Sequence, residues 1–117
     1  MRTFYVEVDT NDGDYVGHLV NVKEEDVEKW MPLIEKIKNF KPYTSTSYSG
    51  STWTHRSNFP ISECCRTDLG EKSPCELYGI TEDEQVEFQE IFNIWGSEWG
   101  FHTISEITEI KIIKRIL

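Results

Sequence analysis

The chain carries little positive charge and lacks any long apolar run. Its 117 residues include 12 bases and 21 acids, which gives a formal net charge of −9. A field of that sign repels phosphate groups, so we expect no direct binding to a nucleic-acid backbone or to an anionic membrane surface. No stretch approaches the roughly 20 apolar residues of a membrane span, and no basic N-terminal region precedes an apolar segment. These absences predict a cytoplasmic protein with no membrane contact.

Cysteine is also scarce, and its spacing is unsuited to a disulfide framework or a zinc site. Cys64, Cys65 and Cys75 are odd in number, and two are adjacent, which favours a reducing compartment. Structural zinc sites place two cysteines a few residues apart so that one turn presents both thiolates. We therefore expect no metal and no cofactor. A cysteine-dependent enzyme stays as an alternative because Arg66 follows Cys65, and a neighbouring cation lowers the pKa of a thiol.

What is present indicates one globular domain, residues 1–117. Hydrophobic residues make up 38% of the chain and aromatic residues 13%, which is typical of a folded protein. A chain of this length can bury a modest core without disulfide or metal support.

Both ends of the chain have the pattern of strands. Phe4, Val6 and Val8 alternate with polar residues, the turn-forming sequence TNDGD follows, and residues 15–22 predict the returning strand of a hairpin. The C-terminal run FHTISEITEIKIIKRIL is crowded with β-branched residues. It predicts a further strand that pairs with the hairpin.

Two helices are predicted between these strands. The sequence KEEDVEKWMPLIEKIKNF has acids in its first turn and lysines in its last. Its apolar stripe, with residues three and four apart, consists of Val27, Trp30, Met31, Ile34 and Ile37. Because this stripe keeps its phase across Pro32, we expect a kinked but continuous helix. The second helix begins with a capping box formed by Thr81 and Glu84, and Gly96 is expected to end it. Its apolar stripe consists of Phe88, Ile91, Phe92 and Trp95.

The sequence therefore predicts an α+β fold. An antiparallel sheet, made of the N-terminal hairpin and the C-terminal strand, is packed by two helices. Residues 41–75 show no sustained period and are expected to be irregular or to form two short strands around Ser49 and Gly50.

This middle segment is the candidate binding site. The stretch YTSTSYSGSTWTHRSNFP contains no acidic residue, although the chain as a whole is acidic. Rigid aromatic rings mixed with small hydroxyl residues are typical of binding surfaces, because the rings give contact area at little entropic cost. The candidate ligand-binding residues are Tyr43, Tyr48, Trp53, His55, Arg56, Asn58, Arg66 and Lys72. The competing interpretation is that Tyr48 and Trp53 complete the core.

The leading functional hypothesis is a small, acidic, non-enzymatic binding protein that captures or inhibits a partner. Acidic helical faces would suit a basic protein, and the aromatic segment would suit an anionic small molecule such as a nucleotide. Shortness, acidity and the lack of a catalytic signature are also typical of accessory proteins that phages and mobile elements encode.

Overall fold

A computed structural model describes residues 1–9, 15–61, 67–94 and 101–108, and shows the predicted α+β architecture. Three strands form an antiparallel sheet in the order β2-β1-β5, and two shorter strands form a separate hairpin. The five strands are β1 (Arg2–Asp9), β2 (Tyr15–Val22), β3 (Tyr43–Thr46), β4 (Thr52–His55) and β5 (Phe101–Glu106). The helices are α1 (Glu24–Lys38), α2 (Pro74–Tyr78) and α3 (Glu82–Ile91), and a single 3-10 turn spans Thr67–Leu69.

The N-terminal hairpin and its pairing with the C-terminal strand are confirmed. β1 pairs with β2 without interruption from Arg2–Val22 to Asp9–Tyr15. Phe4 and Val6 are buried, and Ile104 of β5 lies opposite Val6 on the same covered face. The predicted strand continues beyond Glu106 in the sequence, but residues 109–117 lie outside the described residues.

α1 is continuous through Pro32, as predicted, and buries the expected stripe. Pro32 lies on the exposed side of the helix, where water can satisfy the carbonyl that its missing N–H leaves free. Met31 is half-buried, while Leu33 joins the core instead. The buried side chains of α1 are Val27, Trp30, Leu33, Ile34 and Ile37.

α3 begins at the predicted capping box but ends earlier than predicted. The Thr81 hydroxyl accepts from the Glu84 amide, and the Glu84 carboxylate accepts from the Thr81 amide. The helix ends at Ile91 because Asn93 adopts a left-handed φ of 53° and the Ile94 amide donates back to the Gln89 carbonyl. Residues 95–100, which include Trp95 and Gly96, lie outside the described residues.

α2 is a third helix that the prediction of two helices missed. Its sequence nevertheless has ordinary helix boundaries, with Ser73 as the N-cap, Pro74 in the first turn and Gly79 in the left-handed conformation at the end. With five residues, the helix is too short to show an apolar period. Among the described residues, no helix is long and apolar enough to cross a membrane.

Candidate functional site

The candidate site is built on the β3–β4 hairpin. Of the two possibilities predicted for this segment, irregular structure or two short strands around Ser49 and Gly50, the structure shows the strands. Tyr43 lies opposite His55, and Ser45 lies opposite Trp53, so these four side chains share one face. The other face consists of two pairs of exposed threonines, Thr44 with Thr54 and Thr46 with Thr52. The connecting turn is closed by a 2.7 Å hydrogen bond from the Ser47 amide to the Ser51 carbonyl.

A buried polar contact fixes the inner face of this hairpin to the segment that precedes α2. The Ser45 hydroxyl donates to the Leu69 carbonyl at 2.5 Å and lies 2.7 Å from His55 Nε2. A carbonyl can only accept, so the single hydroxyl proton points to Leu69 and His55 Nε2 must donate to Ser45. His55 Nδ1 lies 3.6 Å from a carboxylate oxygen of Glu71. Because its proton is directed away from the imidazole, Ser45 is held as a structural anchor and is not activated as a nucleophile.

Two further contacts complete this anchor. The Lys72 amide donates to the Tyr43 hydroxyl at 2.8 Å, and the Tyr43 ring lies 4.8 Å from the His55 ring. The turn can approach so closely because it contains Gly70, where an added Cβ would lie 2.8 Å from the Ser45 Cβ. We call the contacts of Tyr43, Ser45 and His55 with residues 69–72 the hairpin anchor.

The aromatic residues beyond the anchor face solvent. Tyr48 is fully exposed at the turn, and Trp53 keeps 44% of its surface exposed. Neither residue therefore completes the core, which contradicts the competing interpretation. Arg56, immediately after β4, is exposed as well. Seen from solvent, the two strands form a hydroxyl-rich surface without Asp, Glu, Lys or Arg, with two aromatic rings, and the Arg56 guanidinium follows at the base.

The other predicted site residues are not all on the exposed surface of the hairpin. His55 is 7% exposed and belongs to the hairpin anchor, so its ring is not on the outer surface. The backbone carbonyl of half-buried Asn58 accepts from the Tyr78 hydroxyl. Lys72 is exposed, with its Nζ 5.6 Å from the centre of the Tyr43 ring. Arg66 lies outside the described residues.

A groove of about 490 Å³ lies beside the base of the hairpin, between the end of α1 and α2. Phe40, Leu77 and Tyr78 contribute its apolar surface. Lys36 and Lys41 contribute two positive charges and Glu35 one negative charge, so the charged lining is positive on balance. The Phe40 ring packs edge-on against Tyr43, with their centres 6.2 Å apart, so the groove and the hairpin anchor are contiguous. An anionic molecule with an aromatic or apolar part would match this lining.

The acidic charge is concentrated on α3. This helix carries five carboxylates and no base, whereas α1 mixes acids with lysines. Lys29 of α1 forms an ion pair with Glu87 of α3 at 2.9 Å. Glu82, Asp83 and Glu90 remain exposed, which makes α3 the acidic helical face in the described structure.

Cys75 has a structural environment. Its thiol donates to the Gln85 side-chain carbonyl at 3.2 Å. Burial raises the pKa of the Cys75 thiol, and the charge of Glu82 raises this pKa further, so the reactive thiolate is disfavoured. Cys64 and Cys65 lie outside the described residues, so the cysteine-enzyme alternative stays a prediction. No group of three His, Cys, Asp or Glu side chains suited to a metal ion occurs within the described ranges.

Sequence reasoning missed the partners that anchor the hairpin, Ser45, Leu69, Gly70 and Glu71. The alternation of threonines in TST and TWT could have placed Ser45 and Trp53 on the opposite face from them. No local pattern could have identified Leu69 or Glu71, since their contacts join segments that are far apart in the sequence.

Comparison with known proteins identifies no relative. No protein-family model, curated protein or solved structure matches the chain.

Proposed function

We propose that this protein is a non-enzymatic binding protein that captures a protein partner through the exposed aromatic residues Tyr48 and Trp53 of the β3–β4 hairpin. The observation that carries the proposal is the exposure of Tyr48 and Trp53 on an uncharged hairpin that is anchored at its base. Exposed aromatic residues on a pre-formed element lose little entropy on binding, which is why they often dominate interface energies. A cytoplasmic location and a role in inhibiting the partner belong to the same proposal.

The exposure of the two aromatic residues favours a macromolecular partner over a small ligand. Tyr48 lies in the turn, and Trp53 lies opposite Ser45, on the order of 10 Å further down the hairpin. Small ligands are normally held in concave pockets that cover most of their surface, whereas a protein partner can cover two rings that stand out from a hairpin.

The acidic face of α3 supports a partner with basic residues near the contact. Exposed carboxylates mainly speed the encounter with a positively charged surface, and salt screens their effect. The association rate should therefore fall as salt is added, while the dissociation rate, which depends on the aromatic contacts, should change little.

A differential capture experiment tests the proposal. The tagged protein, the Tyr48→Ala/Trp53→Ala double variant and an Ile107→Ala control would each be incubated with lysate of the native host. Ile107 is 41% exposed just after β5, so the control removes an exposed apolar side chain that belongs to neither the hairpin nor α3. The proposal predicts a protein retained by the parent chain and the control, and lost with the double variant. Retention of the same proteins by all three would refute it.

The groove beside Phe40 supports a second candidate function, the capture of an anionic small molecule. Its apolar surface adjoins Lys36 and Lys41, which outnumber the one acid of the lining, Glu35, in contrast to the negative charge of the chain as a whole. Mass spectrometry of the purified native protein would detect such a molecule. Lys41→Glu should then reduce its retention, whereas Tyr48→Ala, distant from the groove, should leave it unchanged. Equal retention by both variants would exclude this groove as the site.

A further inference from the structure

β2 is a sheet edge without the features that normally prevent edge strands from pairing. It runs over eight residues and contains no proline and no Asp, Glu, Lys or Arg. Its register with β1 is regular throughout. Edge strands present unpaired backbone N–H and C=O groups, and natural proteins protect them with charges, prolines, bulges or short length.

The other described strand edges do show such protection. The pairing of β5 with β1 is shifted by an irregularity between Glu7 and Val8, and β5 ends in the charged residue Glu106. β3 and β4 are only four residues long. The absence of protection is therefore specific to β2 within the described residues.

β2 also exposes apolar side chains on both faces of the sheet. Leu19 is 64% exposed on the open face, and Val16 is 51% exposed on the face toward the helices. In the described part of the chain, strand pairing joins β2 to β1 alone. Within the described residues, the outer edge of β2 therefore has no strand partner and carries exposed apolar side chains.

We propose that β2 pairs with β2 of a second copy of this chain, antiparallel, to form a continuous six-stranded sheet. Residues directly opposite each other in a sheet have side chains on the same face, and side chains alternate between faces along a strand. Each residue of β2 must therefore pair with itself or with a residue an even number of positions away in the second copy, so the twofold axis passes through a residue and its own copy. Centring it on Leu19 buries the most exposed apolar side chain of the strand against its own copy. Gly17 then lies opposite Asn21, and Val16 lies opposite Val22.

The charge distribution favours this surface for self-association. Two chains of charge −9 repel each other, so a contact between them has to use uncharged surface. β2 provides it, because none of its residues is an acid or a base with a fixed charge. Added salt should strengthen the dimer by screening the overall repulsion, which is opposite to the effect expected for the acidic face of α3.

The dimer should be weak. A single strand pair buries less surface than the roughly 1,200 Å² of a small stable interface, so we expect a Kd on the order of 10 to 100 µM. Sedimentation equilibrium over a concentration series that spans this range would measure it on the full chain.

Substitution at the proposed axis tests the pairing. Leu19→Lys places two like charges opposite each other and should weaken the dimer at least about tenfold. Val86→Lys makes the same change of charge on exposed α3 and should leave the dimer intact. Leu19 is exposed, so both variants should fold, which circular dichroism can verify.

A mixing experiment tests the register itself. The Leu19→Lys and Leu19→Glu variants should each be monomeric alone and should form a mixed dimer when combined, because opposite charges then meet at the axis. A parent chain that stays monomeric to about 1 mM, ten times the weakest expected Kd, would overturn the proposal. Equal weakening by Leu19→Lys and Val86→Lys, or no association on mixing, would also overturn it.

Discussion

Replacing Gly70 with alanine should disrupt the hairpin anchor. Gly70 has a φ of 81°, a conformation that costs a residue with a side chain roughly 1–2 kcal/mol. The added Cβ would also lie 2.8 Å from the Ser45 Cβ and 2.9 Å from its hydroxyl. Overpacking of this kind typically costs about 1–3 kcal/mol, so the total loss in free energy of unfolding should be about 2–5 kcal/mol.

Gly50→Ala is a matched control for the backbone part of this cost. Gly50 has a φ of 88°, but an added Cβ would meet no atom within 4 Å. Both substitutions also restrict the unfolded chain equally. The difference between the two variants therefore reports the contact with Ser45 alone.

Urea titration followed by circular dichroism would measure both losses, and NMR of the His55 ring would report whether the anchor is intact. We expect Gly70→Ala to be the less stable variant by about 1–3 kcal/mol and to shift the His55 signals. Equal stabilities and an unchanged His55 environment would refute the docking of residues 69–72 on the hairpin.

Three further predictions test the core, a helix boundary and the strand pairing. Trp53→Ala should change the free energy of unfolding by less than about 0.5 kcal/mol, whereas Phe88→Ala in the core should lower it by about 3–5 kcal/mol. Similar losses in the two variants would show that Trp53 is buried. Thr81→Ala should cost about 1 kcal/mol in the same assay because it removes the α3 cap, and no loss would argue against the capping box. The hydrogen bond from Arg2 lowers the pKa of Glu106 below its ordinary value of 4.5. The stability that this carboxylate contributes is therefore fully present above that pH and is lost as the pH falls through the lowered pKa. Glu106→Gln should therefore be destabilising at neutral pH and should lose stability less steeply under acid, and identical pH profiles would contradict this.

The strands of the main sheet and the helices that cover it were predictable because their apolar residues recur at the regular spacing of a strand or a helix. Phe4 and Val6 alternate along β1, and Thr81 with Glu84 marks the start of α3. α2 could not be recognised by period, since it is too short, although Ser73 and Gly79 mark its two ends. The end of α3 depends on the left-handed conformation of Asn93, which asparagine adopts less often than glycine.

The candidate site was predictable in composition but not in its internal organisation. The exposure of Tyr48 and Trp53 agrees with what the aromatic, hydroxyl-rich sequence indicated. The burial of His55 does not follow from the sequence, because it depends on Ser45 across the hairpin and on Glu71, 16 residues further along the chain. A residue in such a network has the same local sequence whether it binds a ligand or anchors a strand.

The central claim is that the partner binds the exposed aromatic residues of the hairpin. It is tested most directly by the affinity of the captured partner for the parent chain and for the Tyr48→Ala/Trp53→Ala variant. An aromatic anchor of an interface contributes about 2 kcal/mol, which is about 30-fold in Kd. Isothermal titration calorimetry of the double variant should therefore show a Kd weakened by about 1,000-fold if the two contributions add, and by at least about 30-fold if they overlap. The Ile107→Ala control, whose side chain is exposed outside the hairpin and α3, should retain the parent affinity. An unchanged Kd for a correctly folded double variant would show that the hairpin surface does not bind the partner.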